Sequence, residues 1–257
     1  MVTAAPRREP ALLTERRGPI LVMTMNRPAA RNAIDEEMSR DLADAVALLD
    51  GDADLVVGVL TGAPPGFSSG MDLKAYLRGD DLSGVEQVVR HGARTPLIAA
   101  IEGFALAGGL ELALVCDLLV AGRSARLGIP EASRGLLAGG GGVLRLPARI
   151  GVGRALHLAL TAQPIDAERA ERWGLVTEVT EPGGAFGAAL ALAECVAANG
   201  PLAVAAAKEV VCGTVGMTET EAWEFQTPRN DRVFRSQDAA EGARAFAEKR
   251  PPRWQGR

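Results

Sequence analysis

Two periods of hydrophobicity alternate along this chain. Short, nearly continuous apolar runs at 19–27 ("PILVMTMNR"), 55–62 ("LVVGVLTG"), 97–103 ("LIAAIEG") and 118–122 ("LLVAG") have the length and residue types of buried strands. Between them apolar residues recur at helical spacing. Residues 35–50 ("DEEMSRDLADAVALLD") set Met38, Leu42, Val46 and Leu49 on one face behind an acidic first turn. Another short strand precedes Pro130, and 175–180 ("LVTEVT") is the last strand signal. Beyond it, residues 184–198, 201–215, 218–232 and 238–249 read as helices, the second with Pro201 near its first position. Alternating strands and helices followed by helices alone predict a layered α/β core over residues 1–198 and a helical region over 199–257.

One predicted helix breaks the pattern. In "GGLELALVCDLLVAG" (108–122), Leu110, Leu112, Ala113, Leu114 and Val115 surround Glu111 on every side of the helical wheel, so the carboxylate is expected to be buried. An ionised carboxylate away from water costs several kcal/mol unless it is paired, hydrogen-bonded or protonated, so Glu111 needs a structural partner or a chemical task.

Composition narrows the chemistry. A net charge of −4 with Lys and Arg scattered argues against a nucleic-acid surface. Cys116, Cys195 and Cys212 lie far apart in apolar surroundings, which reads as reduced core thiols of a cytoplasmic protein, and no metal-ligand spacing is present. His91 and His157 are the only histidines, and His157, in "GRALHLALT", reads as a packing or surface residue. The N-terminal stretch lacks the continuous apolar segment of a signal peptide. The apolar regions 96–122 and 185–207 are interrupted by acids and glycines and do not read as membrane spans.

Three features carry candidate chemistry. Gly70 stands just before Met71, and Gly108 and Gly109 open a helix whose first N–H groups lack intrahelical partners. Two such groups converging on one oxygen would form an oxyanion hole for a carbonyl becoming an enolate; the alternative is turn and cap glycines. Glu111 and Glu131, the latter in "LGIPEASRG", are either an acid–base pair or carboxylates neutralised by an arginine such as Arg134 or Arg145. The four glycines 139–142 let the backbone approach a ligand or another segment closely, without the ending of a phosphate-binding loop.

Taken in order, "MNRPAARNAI", "GFSSGMDLK", "IAAIEGFALAGGLELALVCDLLVA", "LGIPEASRGLLAGGGG", "ERWGLVTEV" and "EGARAFAEKR" resemble the crotonase, or enoyl-CoA hydratase/isomerase, superfamily over nearly the whole chain. The resemblance implies a spiral of ββα units followed by a helical trimerisation region, assembled as a homotrimer or a dimer of trimers. It implies that the backbone N–H groups of Met71 and Gly108 grip a thioester carbonyl, and that Glu111 and Glu131 match the two catalytic glutamates of the hydratase branch, Glu131 delivering the α-proton. Coenzyme A would enter as part of the acyl-CoA substrate, not as a resident cofactor. It would lie along Ala29, Ala30, Arg31, Ser68, Ser69, Asp72, Leu73 and Lys74, with Phe246 and Lys249 supplied by a neighbouring subunit.

Where many hydratases carry Pro-x-x-Gly-Gly-Thr-Gln-Arg-Leu, this chain has "AGGGGVLRL" (138–146), which places Gly139 and Val143 in the substrate pocket and leaves its acyl preference open. "GVLRLP" and the ending "AFAEKRPPRWQGR" resemble the carnitinyl-CoA (crotonobetainyl-CoA) hydratase branch. Residues 75–95 are expected to form part of the acyl-pocket wall. The reading is syn hydration of a trans-2-enoyl-CoA. The alternatives are another reaction through the same enolate (isomerisation, carnitinyl-CoA dehydration, thioester hydrolysis) or a non-catalytic CoA or RNA binder.

Overall fold

The structure, a computed structural model, describes residues 9–257. The first eight residues, part of the stretch read as no signal peptide, lie outside the described residues. β1 (Leu12–Arg17) and β2 (Ile20–Met25) form a hairpin turned at Gly18, whose φ of +58° suits a residue without Cβ. α1 (Glu36–Gly51) leads to β3 (Val57–Gly62), and α2 (Leu73–Arg78) and α3 (Ser83–His91) lead to β4 (Leu97–Ile101). β5 (Phe104–Leu106), α4 (Gly108–Ala113), β6 (Leu118–Gly122), β7 (Arg126–Gly128), α5 (Gly142–Ile150), α6 (Val152–Thr161), β8 (Ile165–Asp166), α7 (Ala167–Arg172) and β9 (Glu178–Thr180) follow. The chain ends in α8 (Ala185–Ala197), α9 (Pro201–Gly213), α10 (Glu219–Phe234) and α11 (Gln237–Ala247).

The main sheet has six strands in the order β1-β2-β3-β4-β6-β9, antiparallel only between β1 and β2. A parallel sheet buries both faces, which is why its strands read as unbroken apolar runs. Ile20, Val22, Val57, Val59, Ile98, Ala100 and Val120 pack against Ala185, Ala189 and Ala193 of α8 on one face. The alternate residues Leu21, Met23, Met25, Leu60, Leu97, Ala99 and Ile101 join the larger core on the other, with Met38, Leu42 and Leu49 of α1. α1 starts where expected because the Asp35 side chain accepts the Met38 N–H at 3.1 Å and Glu36 and Glu37 occupy the first turn.

Two elements escaped the sequence reading. β1 ("LLTERR") is an edge strand whose residues after Leu12 are exposed, so it carries no apolar alternation to betray it. β5, β7 and β8 form a separate three-stranded sheet of strands two or three residues long, too short for a periodic signal. The cysteine reading is corrected in part: Cys116 is buried, but Cys195 and Cys212 are exposed, because α8 and α9 lie on the outside of the molecule and bury only a few alanines. His157 packs edge-on against Trp173, ring centroids 5.7 Å apart.

Candidate active site

The loop 66–72 and the start of α4 meet beyond the carboxyl ends of β3 and β4, where open parallel sheets place their ligand sites. The Ile34 N–H donates to Gly70 O at 2.8 Å and the Asp72 N–H to Ile34 O at 2.9 Å. In such a parallel bridge the intervening residue turns its own N–H to the opposite side. Met71 therefore offers a free donor, and Gly108, the first residue of α4, offers another. Among the described residues neither N–H has a protein acceptor.

The two donors lie side by side. A Cβ built on Gly108 would stand 3.3 Å from Met71 N, and one on Gly70 2.7 Å from Gly108 N. Ala107 holds the corner at φ +52°, a left-handed conformation costly for a residue with Cβ, and its N–H is tied to Gly128 O at 2.9 Å. Gly109 has no room for a side chain, since a Cβ there would meet Ser68 O at 2.3 Å.

Glu111 and Glu131 are 5% and 9% exposed, and both face one cavity of about 1120 Å³ that also contains Met71 and Gly108. The glycine run 139–142 approaches Glu111: the Gly142 N–H donates to its Oε1 at 2.9 Å, and a Cβ on Gly140 would sit 2.7 Å from its Oε2. That close approach is what those glycines permit. Burial raises the Glu111 pKa, while the Gly142 and Gly140 N–H groups and the charge of Arg145 oppose the rise.

Glu131, in the 3-10 turn Pro130–Arg134, sits in a different environment. Its Oε2 is buried with no hydrogen-bond partner. Burial first, and the charge of Glu111 second, push its carboxyl up to about 7, against the pull of its own backbone N–H and of Arg134. One acid is thus seated on amides and its neighbour is poised to hold a proton near neutrality.

The arginine alternative is not what the structure shows. Among the described residues neither glutamate is ion-paired: Arg145 donates to Val89 O and Gly140 O, and Arg134 to Pro130 O and Ser133 Oγ. Among the described residues no group of three or more His, Cys, Asp or Glu side chains is arranged to hold a metal ion.

A model of the enoyl-CoA hydratase/isomerase family matches residues 15–257. The chain belongs to that family. It is 44% identical to the enoyl-CoA hydratase EchA19 of Mycobacterium tuberculosis over 96% of this chain and 97% of that one. It is 36% identical to a carnitinyl-CoA dehydratase of Citrobacter koseri over 94% and 97% of the two chains. A crystal structure of an enoyl-CoA hydratase from M. tuberculosis superposes with a TM-score of 0.94 at 51% identity, covering 97% of this chain and all (100%) of that one. The crotonase fold expected from the motifs is the fold present.

Of the remaining residues assigned from the sequence, Ala29, Ala30, Arg31, Ser69, Asp72, Leu73, Lys74 and Gly139 line the cavity. Arg31 stacks on the Phe104 ring, 4.5 Å from its centroid. Ser68 does not line it: fully buried behind the wall, its hydroxyl donates to Asn32 O at 2.7 Å and accepts the Gly70 N–H at 3.1 Å. Val143 is also displaced. α5 buries Gly142, Leu146 and Ile150, so Val143 beside that face packs on the core, and Leu144 takes the cavity position. Phe246, 89% exposed, and Lys249 lie outside the cavity of their own chain.

The sequence reading did not single out the aliphatic lining residues, Leu82, Val85 and Val89 from the α3 region and Leu136, Leu137 and Leu144 from the segment after Glu131. The expectation that residues 75–95 wall the pocket had the right segment; the helical spacing of Val85 and Val89 was the signal available within it.

Gly108→Ala tests the donor pair. Alanine suits a helix, but its methyl would intrude 3.3 Å from Met71 N, where the oxyanion sits. Thermal stability should be unchanged or slightly higher while kcat falls about 10²- to 10³-fold; a wild-type rate would remove these amides from the reaction.

Proposed function

We propose that this enzyme adds water reversibly to the double bond of a trans-2-enoyl-CoA thioester. The observation that carries this is the convergence on one cavity of two unpaired buried carboxylates in different protonation environments and two adjacent amide donors. The Met71 and Gly108 N–H groups hold the thioester oxygen, so negative charge moving onto it during attack is met by fixed dipoles. Glu111, ionised, takes a proton from a water lying between the two acids as its oxygen bonds to the β-carbon. The π electrons move to form the enolate, and Glu131 delivers its proton to the α-carbon. The oxygen–carbon bond and the new C–H form on the same face, because both acids lie on one side of the substrate. Proton exchange between the acids restores the starting state.

Arg31 and Lys74 at the rim supply cations for the CoA phosphates. Phe246 and Lys249 are suited to reach a neighbouring subunit's cavity. Assembly as a trimer or dimer of trimers is supported by α10, a 16-residue helix with no buried residue, and by exposed Val211, Val215, Trp223, Phe234 and Phe246 on the C-terminal helices. Unpaired cysteines support a cytoplasmic setting.

Ultraviolet loss of the conjugated thioester with a product heavier by one water would establish the reaction, since isomerisation leaves the mass unchanged. The aliphatic lining favours hydrocarbon acyl groups longer than four carbons. Each added methylene that reaches the wall should raise kcat/KM up to about fourfold, the equivalent of ~0.8 kcal/mol. Val85→Trp should cut kcat/KM for a long enoyl-CoA about tenfold or more and leave crotonyl-CoA turnover nearly intact. A flat chain-length profile in the wild type would count against this wall as the acyl site.

A further inference from the structure

The motif "MNRPAARNAI" contributes more than cavity lining. Arg27 Nη2 lies 2.9 Å from Asp35 Oδ2 and 3.3 Å from Asp72 Oδ2, and Nη1 reaches Asp72 Oδ2 at 3.4 Å as well as Ala33 O. All three side chains are largely buried, 14%, 14% and 18% exposed. Asp35 caps α1, and Asp72 caps α2 by accepting the Lys74 and Ala75 N–H groups at 3.0 and 3.3 Å. Partial burial works against an ionised Asp72, but these N–H groups and Arg27 outweigh it and hold its carboxyl below the ordinary range.

Asp72 is the residue next to Met71, and its N–H is one of the two bonds that orient the 70–72 segment against Ile34. The Arg27 backbone N–H donates to Asn32 Oδ1 at 2.9 Å, the Asn32 amide reaches Ala63 O and Gly66 O at 2.7 Å each, and Asn32 O accepts from Ser68. Asn32 and Arg31 hold φ values of +53° and +56°, so this loop is kept in a strained form by the bonds around it.

We propose that Arg27, acting through Asp72, is a positioning residue that fixes the direction of the Met71 N–H toward the thioester oxygen. Arg27 does not line the main cavity and touches no reacting atom; its effect is on the placement of a donor. This rests on the hydratase reading above. Oxyanion stabilisation depends steeply on donor placement, and misplacement by about 1 Å costs up to about a hundredfold in rate.

The test compares Arg27→Met, Arg27→Lys and Asp72→Asn in the full-length enzyme, reading kcat and KM and the red shift of an aryl-conjugated enoyl-CoA on binding, which reports polarisation of its carbonyl. Asn at 72 still accepts the cap hydrogen bonds but loses the charge attraction. Arg27→Met and Asp72→Asn should each lower kcat about ten- to a hundredfold with KM changed little, and each should diminish the red shift. Their combination should be no worse than either alone, and Arg27→Lys should recover part of both readouts. A full red shift with wild-type kcat in Asp72→Asn, or in a folded Arg27→Met, overturns the proposal alone. Absence of both turnover and red shift in the wild type overturns the hydratase reading and the proposal with it.

Discussion

Replacing Glu131 with glutamine is expected to lower kcat for hydration by about 10²- to 10⁴-fold, the range for losing a positioned general acid. Glutamine occupies the same volume but has no proton to deliver to the α-carbon. The wild-type rate should carry a distinctive pH dependence. Because the Glu131 carboxyl is pushed up to about 7, its protonated form is lost as pH rises through neutrality, and kcat/KM for hydration should decline there. The residual activity of the variant should lack that alkaline limb.

The same shift links to folding. The carboxyl has a model value of 4.5 in the unfolded chain and about 7 in the fold, so the folded protein binds the proton more tightly. Its favourable contribution is fully present below pH about 4.5 and disappears as pH rises through about 7, a difference of about 3 kcal/mol at most. Glu131→Gln should therefore gain in melting temperature relative to wild type as pH rises through this window, while losing catalysis. A variant that keeps both its rate and the wild-type pH profile of stability would show that Glu131 is neither the acid nor buried as a strained acid.

Glu111→Gln is expected to cost about as much, 10²- to 10⁴-fold in kcat, through the opposite role. The amide oxygen can still accept the Gly142 N–H, so the glycine run keeps its seat and the fold should be little disturbed. An amide cannot take the proton of the attacking water. Binding and carbonyl polarisation should survive, since the Met71 and Gly108 donors are untouched, so the red shift of a bound chromophoric thioester should persist while turnover is lost. Gly108→Ala should do the reverse, reducing the shift. Glu111→Gln with wild-type turnover would remove this acid from the mechanism and leave its burial without a chemical reason.

Some of this site could be read from the sequence because the signals are local. Leu110, Leu112 and Ala113 around Glu111 announce a buried acid by helical geometry alone, and Gly108 at the start of an apolar helix announces free amides. The strands β2, β3, β4 and β6 were legible because burial on both faces demands unbroken apolar runs. Family motifs added the pairing of Glu111 with Glu131, which no periodicity contains.

What the chain's order of residues determined by itself is the set of parts: which segments are strands and helices, which acid is buried, and where backbone donors are left over. Only the tertiary structure decided how the parts meet. It shows that the glycines 139–142 approach Glu111, that Ser68 faces inward to Asn32, and that Leu144 and not Val143 borders the cavity. It also brings Arg27 to Asp72, 45 residues away. The physical reason is that propensity and periodicity act over a few residues, whereas a carboxyl's protonation and an amide's direction depend on desolvation and contacts between segments far apart in the chain.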